Sequence, residues 1–255
     1  MTLAGGADWT LTPDGDAALL VRFEQRIDPA ISARAIALAS ALRQRGLEGV
    51  RDVVEAYAAV TVHVDPTRAD IAAVTEAVAR LAGKASADDP SGGASREHRL
   101  PVCYGGTHGP DLAEVARFGG CAEDEVVARH HGAAYRVYML GFQPGFAYLG
   151  SVDSSIAAPR RAAPRVRVPA RSVGIAGQQT GVYPAASPGG WQLIGRTPIR
   201  LFDLDREDPF LLHAGDTVRF DPIDGATYDR LLERDQGAAA LRAEQAADAA
   251  REMVR

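Results

Sequence analysis

Two cysteines are all that this 255-residue chain contains, Cys103 and Cys121, and neither sits in a spacing that pairs metal ligands. A scaffold stapled by disulfides carries more of them in a far shorter chain, so that class is excluded and a reduced compartment is expected. Positive charge is also scarce. Lysine and arginine number 28 against 33 acids, a formal net charge of −5, which argues against a nucleic-acid binder that neutralises phosphates. Long apolar runs are missing, since no segment approaches the roughly 20 residues that span a bilayer. Met1 to Trp9 has neither the basic start nor the apolar stretch of a secretion signal. The expectation is a soluble cytoplasmic protein with neither nucleic acid nor membrane among its partners.

What the chain does have is enough apolar substance for a sizeable core, 46% of residues, with 24% charged. The first third alternates strand and helix signals. Asp8 to Leu11 and Ala17 to Phe23 flank the turn-like run Pro13-Asp14-Gly15-Asp16. Asp28 then offers a helix cap with Pro29 at the first helical position. Ile31, Ala35, Leu38 and Leu42 share one face, and Gly46 is placed to end the helix. Strands follow at Val50 to Tyr57 and Ala59 to Val64, then a second helix from about Thr67 to Leu81 carrying Ile71, Val74, Val78 and Leu81. The order ββαββα predicts a small α+β sandwich with both helices on one sheet face.

Residues 84–95 are rich in Gly, Ala, Ser, Asp and Pro and read as a linker between a first domain, 1–83, and a second, 96–225. The second opens with a strand at Leu100 to Tyr104. Two short helices follow, one capped by Asp111 and one over about Glu123 to His131. Short strands such as Tyr135 to Leu140, Ser172 to Ala176 and Thr217 to Phe220 then alternate with dense Gly and Pro, a pattern that predicts a barrel or sandwich. Residues 226–255 are rich in Ala, Glu and Arg and read as a helical tail.

Three loops of the second domain could carry chemistry. Gly141-Phe142-Gln143-Pro144-Gly145-Phe146-Ala147-Tyr148 places aromatics in a tight turn, which serves either to pack them into the core or to face a ligand. Arg160, Arg161, Arg165, Arg167 and Arg171 put five arginines within twelve positions, stiffened by Pro159, Pro164 and Pro169. Such a run is either a solvated basic loop or a set of guanidinium forks for carboxylate or phosphate. Gly177 to Pro184 and Ser187 to Pro198 crowd amide, hydroxyl and guanidinium groups beside glycines, yet match no phosphate-loop or dinucleotide fingerprint. The arginine loop and the segment Gln179 to Arg196 are expected to converge on one cavity. The candidate catalytic residues are Arg160 and Arg165, with His130 as a proton-transfer group. Gln179, Tyr183, Arg196, Thr197 and Arg171 are the candidate substrate-binding residues, and no metal set is expected. For His130 and His131, the dipole of the preceding helix offers a purely structural alternative. Composition and spacing stop at a two-domain protein with a candidate anion pocket.

At these same loops the chain resembles the KipI family, also called allophanate hydrolase subunit 1 or the 5-oxoprolinase B subunit. The match runs through Gly141-Phe142-Gln143-Pro144-Gly145-Phe146, Pro159-Arg160-Arg161, Pro164-Arg165, Gln179-Thr180-Gly181-Val182-Tyr183-Pro184, Ser187-Pro188-Gly189-Gly190-Trp191 and Gly195-Arg196-Thr197-Pro198, and closes at Gly215 to Phe220. Arg171 and Gly174 depart from it, standing where the family more usually has Gly and Ala. The resemblance implies an α+β N-terminal domain followed by a mainly-β, cyclophilin-like barrel domain. It further implies an ATP-dependent 5-oxoprolinase in which this chain works with a KipA-like C subunit plus a barrel-type A subunit to convert 5-oxo-L-proline to L-glutamate. Mg-ATP would be bound by the complex, and the isolated chain would be inactive. The same family also implies two alternatives, an inhibitor of a sensor histidine kinase and a component of a urea or allophanate amidolyase or biotin-dependent carboxylase.

Overall fold

The computed structural model describes residues 2–87 and 95–235. The chain forms two compact units, Met1–Arg96 and Glu97–Arg255. Part of the expected linker, 88–94, and most of the expected helical tail, 236–255, lie outside the described residues.

In the first unit, strands β1 (Ala4–Gly5), β2 (Trp9–Pro13), β3 (Ala18–Phe23), β4 (Val50–Glu55) and β5 (Ala59–Val64) form one antiparallel sheet in the order β1-β2-β3-β5-β4. Alternation sends Leu11, Leu19, Val21, Phe23, Val60, Val62 and Val64 into a core shared with Leu38 and Leu42 of helix α1 (Pro29–Arg45) and Val74 and Val78 of α2 (Ile71–Ala82). The start of α1 follows from its cap, because an Asp28 carboxylate oxygen accepts from the N–H groups of Ala30 and Ile31. Its end follows from Gly46, which takes φ 59°, ψ 48°. Helix α2 begins at Ile71, later than the expected Thr67. Asp65 captures the Thr67 amide and hydroxyl in a turn, and Asp70 provides the cap by accepting from the Ala73 N–H.

The second unit is built on a closed seven-stranded barrel, β10-β11-β8-β7-β14-β6-β13. Its strands are β6 (Glu97–Tyr104), β7 (Tyr135–Leu140), β8 (Ala147–Gly150), β10 (Ser172–Ala176), β11 (Gln179–Val182), β13 (Gln192–Arg196) and β14 (Thr217–Pro222). Every pairing is antiparallel except β14 with β6. Val102, Val137, Leu149, Val173, Ile175, Ile194, Val218 and Phe220 fill a core that also takes Val115 of α3 (Leu112–Gly119) and Val126 of α4 (Glu123–His131). Among the described residues, strands β9 (Arg165–Val168) and β12 (Ser187–Gly189) pair only with each other, as a ribbon outside the barrel order. A helix over 225–235, α5, follows β14.

The loop 141–146 joins β7 to β8. Phe142 stands at φ 69°, and Gly145 at φ 81°, where a Cβ would come within 2.7 Å of the Phe202 Cβ. Of the loop aromatics, Phe146 is buried with Tyr183 and Trp191 in a small core of their own and Tyr148 packs against it, while Phe142 remains 61% exposed.

Candidate functional site

The ribbon is where the arginine loop and the glycine-rich segment meet. Ser187 pairs with Val168 and Gly189 with Arg165. Just beside the ribbon, the Arg161 N–H donates to the Gly190 carbonyl at 2.7 Å, and the Gln192 amide donates to the Pro159 carbonyl at 3.0 Å. Prolines 159, 164 and 169 restrict the arginine loop to extended backbone, which suits a short ribbon. Gly189 is required by contact, since a Cβ there would sit 2.4 Å from the Tyr183 hydroxyl.

One buried carboxylate organises this region. Asp111 is the N-cap residue of α3, as expected, yet its side chain makes no cap hydrogen bond. The carboxylate turns instead to the ribbon. Oδ1 accepts from Arg161 Nη1 at 2.9 Å and from Arg165 Nη2 at 2.7 Å, and Oδ2 accepts from the Leu193 N–H at 2.7 Å. The Asp111 side chain is 5% exposed. A desolvated carboxylate needs such partners more than a helix terminus needs its cap. Arg161 Nε, Arg165 Nη1 and Gln192 Oε1 are buried and make no hydrogen bond within the described residues.

Arg160 lies on the exposed side of the same loop. Its charge reaches the buried Tyr183 phenol. Burial raises that phenol above its ordinary value, and a backbone hydrogen bond at Trp191 and the charges of Arg160 and Arg165 pull it part of the way back. Arg161 and Arg165 thus share Asp111, and Arg160 and Arg165 both bear on Tyr183. Their chemistry is that of a cationic, hydrogen-bond-donating surface for an oxyanion.

The other candidates fall in two further places. Arg171, Arg196 and Thr197 meet at the ends of β10 and β13. The Thr197 N–H donates to the Arg171 carbonyl at 3.0 Å, and Arg196 Nε donates to the Ala170 carbonyl at 2.9 Å. Arg171 is not open to a ligand as it stands, because its Nη2 donates to Asp235 of α5 at 2.8 Å and its Nη1 to the Pro198 carbonyl. Gln179 stands at the far end of β11 from Tyr183, paired with Ala176 and Gly150. At about 3.3 Å per residue, the two ends are separated by on the order of 13 Å.

His130 lies in the core of the second unit. It is fully buried, stacked on Phe220 at a centroid distance of 4.7 Å, with both ring nitrogens engaged. Nε2 is 2.9 Å from Thr180 Oγ1 and Nδ1 is 2.8 Å from the Tyr104 hydroxyl. Since the Thr180 hydroxyl donates to the Gly174 carbonyl, it accepts from Nε2–H, and Tyr104 donates to Nδ1. That is a neutral imidazole, and burial, aided by His131, pushes its pKa down to about 3. It holds the core together and has no ring nitrogen left for substrate.

Sequence reasoning overlooked Asp111 as an ion-pair partner, along with Arg200 and Asp235. Their partners stand 50 or more positions away for Asp111 and 35 or more for Asp235, and no local pattern encodes such pairs.

Comparison with known proteins places this geometry in a family. The model of the carboxyltransferase domain, subdomain C and D, matches residues 9–212. The 5-oxoprolinase B subunit of Bacillus subtilis (strain 168) is 40% identical over 233 residues, 86% of this chain and 95% of that protein. The 5-oxoprolinase B subunit of Escherichia coli O157:H7 is 59% identical over 128 residues, half of this chain and 59% of that protein. Among solved structures, TTHA0988 superposes with a TM-score of 0.72 at 39% identity over 82% of this chain, which spans only 40% of that longer chain.

Proposed function

Since the chain belongs to the carboxyltransferase-domain family, subdomain C and D, and within it to the KipI group of 5-oxoprolinase B subunits, we propose that it is the B subunit of an ATP-dependent 5-oxoprolinase. The observation that carries this reading is the 40% identity to the Bacillus subtilis protein over 95% of its length. We read the second unit as a separate, cyclophilin-like domain, and the working enzyme as a cytoplasmic complex with C and A subunits. Among the described residues, no helix is long and apolar enough to cross a membrane.

In this reading the complex moves the γ-phosphoryl group of ATP to the lactam oxygen of 5-oxo-L-proline. ADP leaves, one water adds to the activated carbon and breaks the C–N bond to give the γ-acyl phosphate, and a second water releases L-glutamate and phosphate. Such a transfer asks for positioning and charge neutralisation more than for a protein nucleophile. Arg160 supplies exposed positive charge. Asp111 commits one nitrogen each of Arg161 and Arg165, which fixes their forks beside Arg160. Among the described residues no group of three or more His, Cys, Asp or Glu could hold a metal ion.

Co-expression with the C and A subunits, followed by a 5-oxoproline-dependent ATP turnover assay, tests the reading. Turnover by the complex and none by the single chain is expected. A complex that hydrolyses ATP with another amide and ignores 5-oxoproline would overturn it.

A further inference from the structure

We propose that Arg171 and Arg200 build a second oxyanion seat, distinct from the Asp111 cluster, whose present occupant is the chain's own Asp235. The seat accepts a free carboxylate or phosphate group once the end of α5 withdraws that side chain.

The seat begins with a backbone oddity. Arg171 holds φ 68°, a left-handed conformation that side-chain-bearing residues adopt rarely and at some cost. Both its backbone groups are engaged in keeping it there, the N–H on the Tyr183 carbonyl and the carbonyl on the Thr197 N–H. Its guanidinium is correspondingly fixed. The side chain is 12% exposed, and Nη1 donates to the Pro198 carbonyl. Its Nη2 donates to Asp235 Oδ2.

Arg200 approaches the same oxygen from another element. Its Nε lies 3.4 Å from Asp235 Oδ2, is buried, and makes no hydrogen bond among the described residues. Two guanidinium groups thus lean on a single carboxylate oxygen, and one of them is left short. Arg196 adds its charge nearby, where it and Arg171 both act on the Tyr228 phenol, whose buried hydroxyl also lacks a partner among the described residues. Positive charge and unused donors exceed what one carboxylate can satisfy. A ligand with two or three oxygens free to orient would serve both forks better than a side chain tethered to a helix.

Tethering nonetheless gives Asp235 a high effective concentration, so it competes with any free oxyanion and weakens apparent binding. Removing its charge, while keeping its shape, should unmask the seat. The inference concerns binding by the single chain and does not depend on the 5-oxoprolinase reading, so either can fail alone.

The test uses the full chain and Asp235→Asn, titrated calorimetrically at constant ionic strength with inorganic phosphate and, separately, with 5-oxo-L-proline. The variant should bind at least one of the two about tenfold or more tighter than the parent. A gain for phosphate alone assigns a phosphoryl group, and a gain for 5-oxo-L-proline assigns a carboxylate. In Asp235→Asn combined with Arg171→Gly, a replacement suited to φ 68°, the gain should vanish. Unchanged affinity for both probes in Asp235→Asn, or a gain that survives in the double variant, overturns the proposal.

Discussion

Asp111 carries more consequence than any other single side chain of the ribbon region. Its replacement by Ala leaves two partly buried guanidinium groups without a counter-charge and the Leu193 N–H without an acceptor. Since Arg161 and Arg165 are 35% and 23% exposed, water recovers part of the loss, and about 2–3 kcal/mol of destabilisation is expected in urea unfolding. Arg160→Ala should behave oppositely. The residue is exposed, so stability should stay within about 0.5 kcal/mol. Activity of the assembled enzyme should fall on the order of 100- to 1,000-fold if Arg160 meets developing charge, with Lys restoring only part. His130 provides a pH signature. Unfolded, an imidazole takes up a proton near pH 6.5; folded, His130 does so only near 3. The unfolded chain therefore binds the extra proton, and stability falls as pH drops from 6.5 towards 3, by up to about 1.4 kcal/mol per pH unit. Urea unfolding at roughly pH 7 and pH 5 should show this slope in the parent and a flatter one in His130→Gln. The arginine cluster was legible in sequence because five like residues in one proline-braced loop need no structure to be noticed. Asp111 was not, because an Asp before an amphipathic run satisfies the cap rule, and only the fold reveals the stronger claim of two arginines.

At the scale of elements, the loop between β7 and β8 separates packing from display. Phe146 is buried among Tyr148, Tyr183 and Trp191 with edge-to-face geometry. Phe146→Ala should cost about 3–5 kcal/mol. Phe142, 61% exposed on its left-handed turn and edge-to-face with Phe146 at 5.5 Å, should cost only about 0.5–1.5 kcal/mol in urea unfolding when changed to Ala. It should weaken copurification with a C subunit if this loop meets the partner, a role expected of the exposed aromatic and not of the packed ones. Copurification undiminished by Phe142→Ala would remove the loop from the interface. Local rules served α1 well because cap, proline and terminal glycine all lie within its own span. They misplaced the start of α2 by four residues, since Asp65 competes for Thr67. Individual barrel strands were legible from alternation and Gly/Pro punctuation. Their order was not, because pairing is a property of segments far apart in the chain.

For the whole molecule, each unit encloses its own buried cluster, the first around Val21, Val60 and Val62 and the second around Val137, Leu149 and Ile175. The two differ in how they close. The sheet of the first pairs mostly strands that are near in sequence, whereas the second is sealed by β14, which lies between β7 and β6 and runs parallel to β6 from Thr217 opposite Glu97 to Pro222 opposite Val102. Those partners are 120 positions apart, 217 less 97. During synthesis, at about 5–20 residues per second, β6 leaves the ribosome on the order of ten seconds before the strand that must lie beside it. Through that interval β6 and β7 each present a bare edge, the kind of surface on which nascent chains stick to one another. Chains halted just before Thr217 should be recovered in the insoluble fraction or bound to chaperones, whereas chains halted after residue 235 should be soluble. Equal solubility of the two would show that the barrel tolerates an open seam.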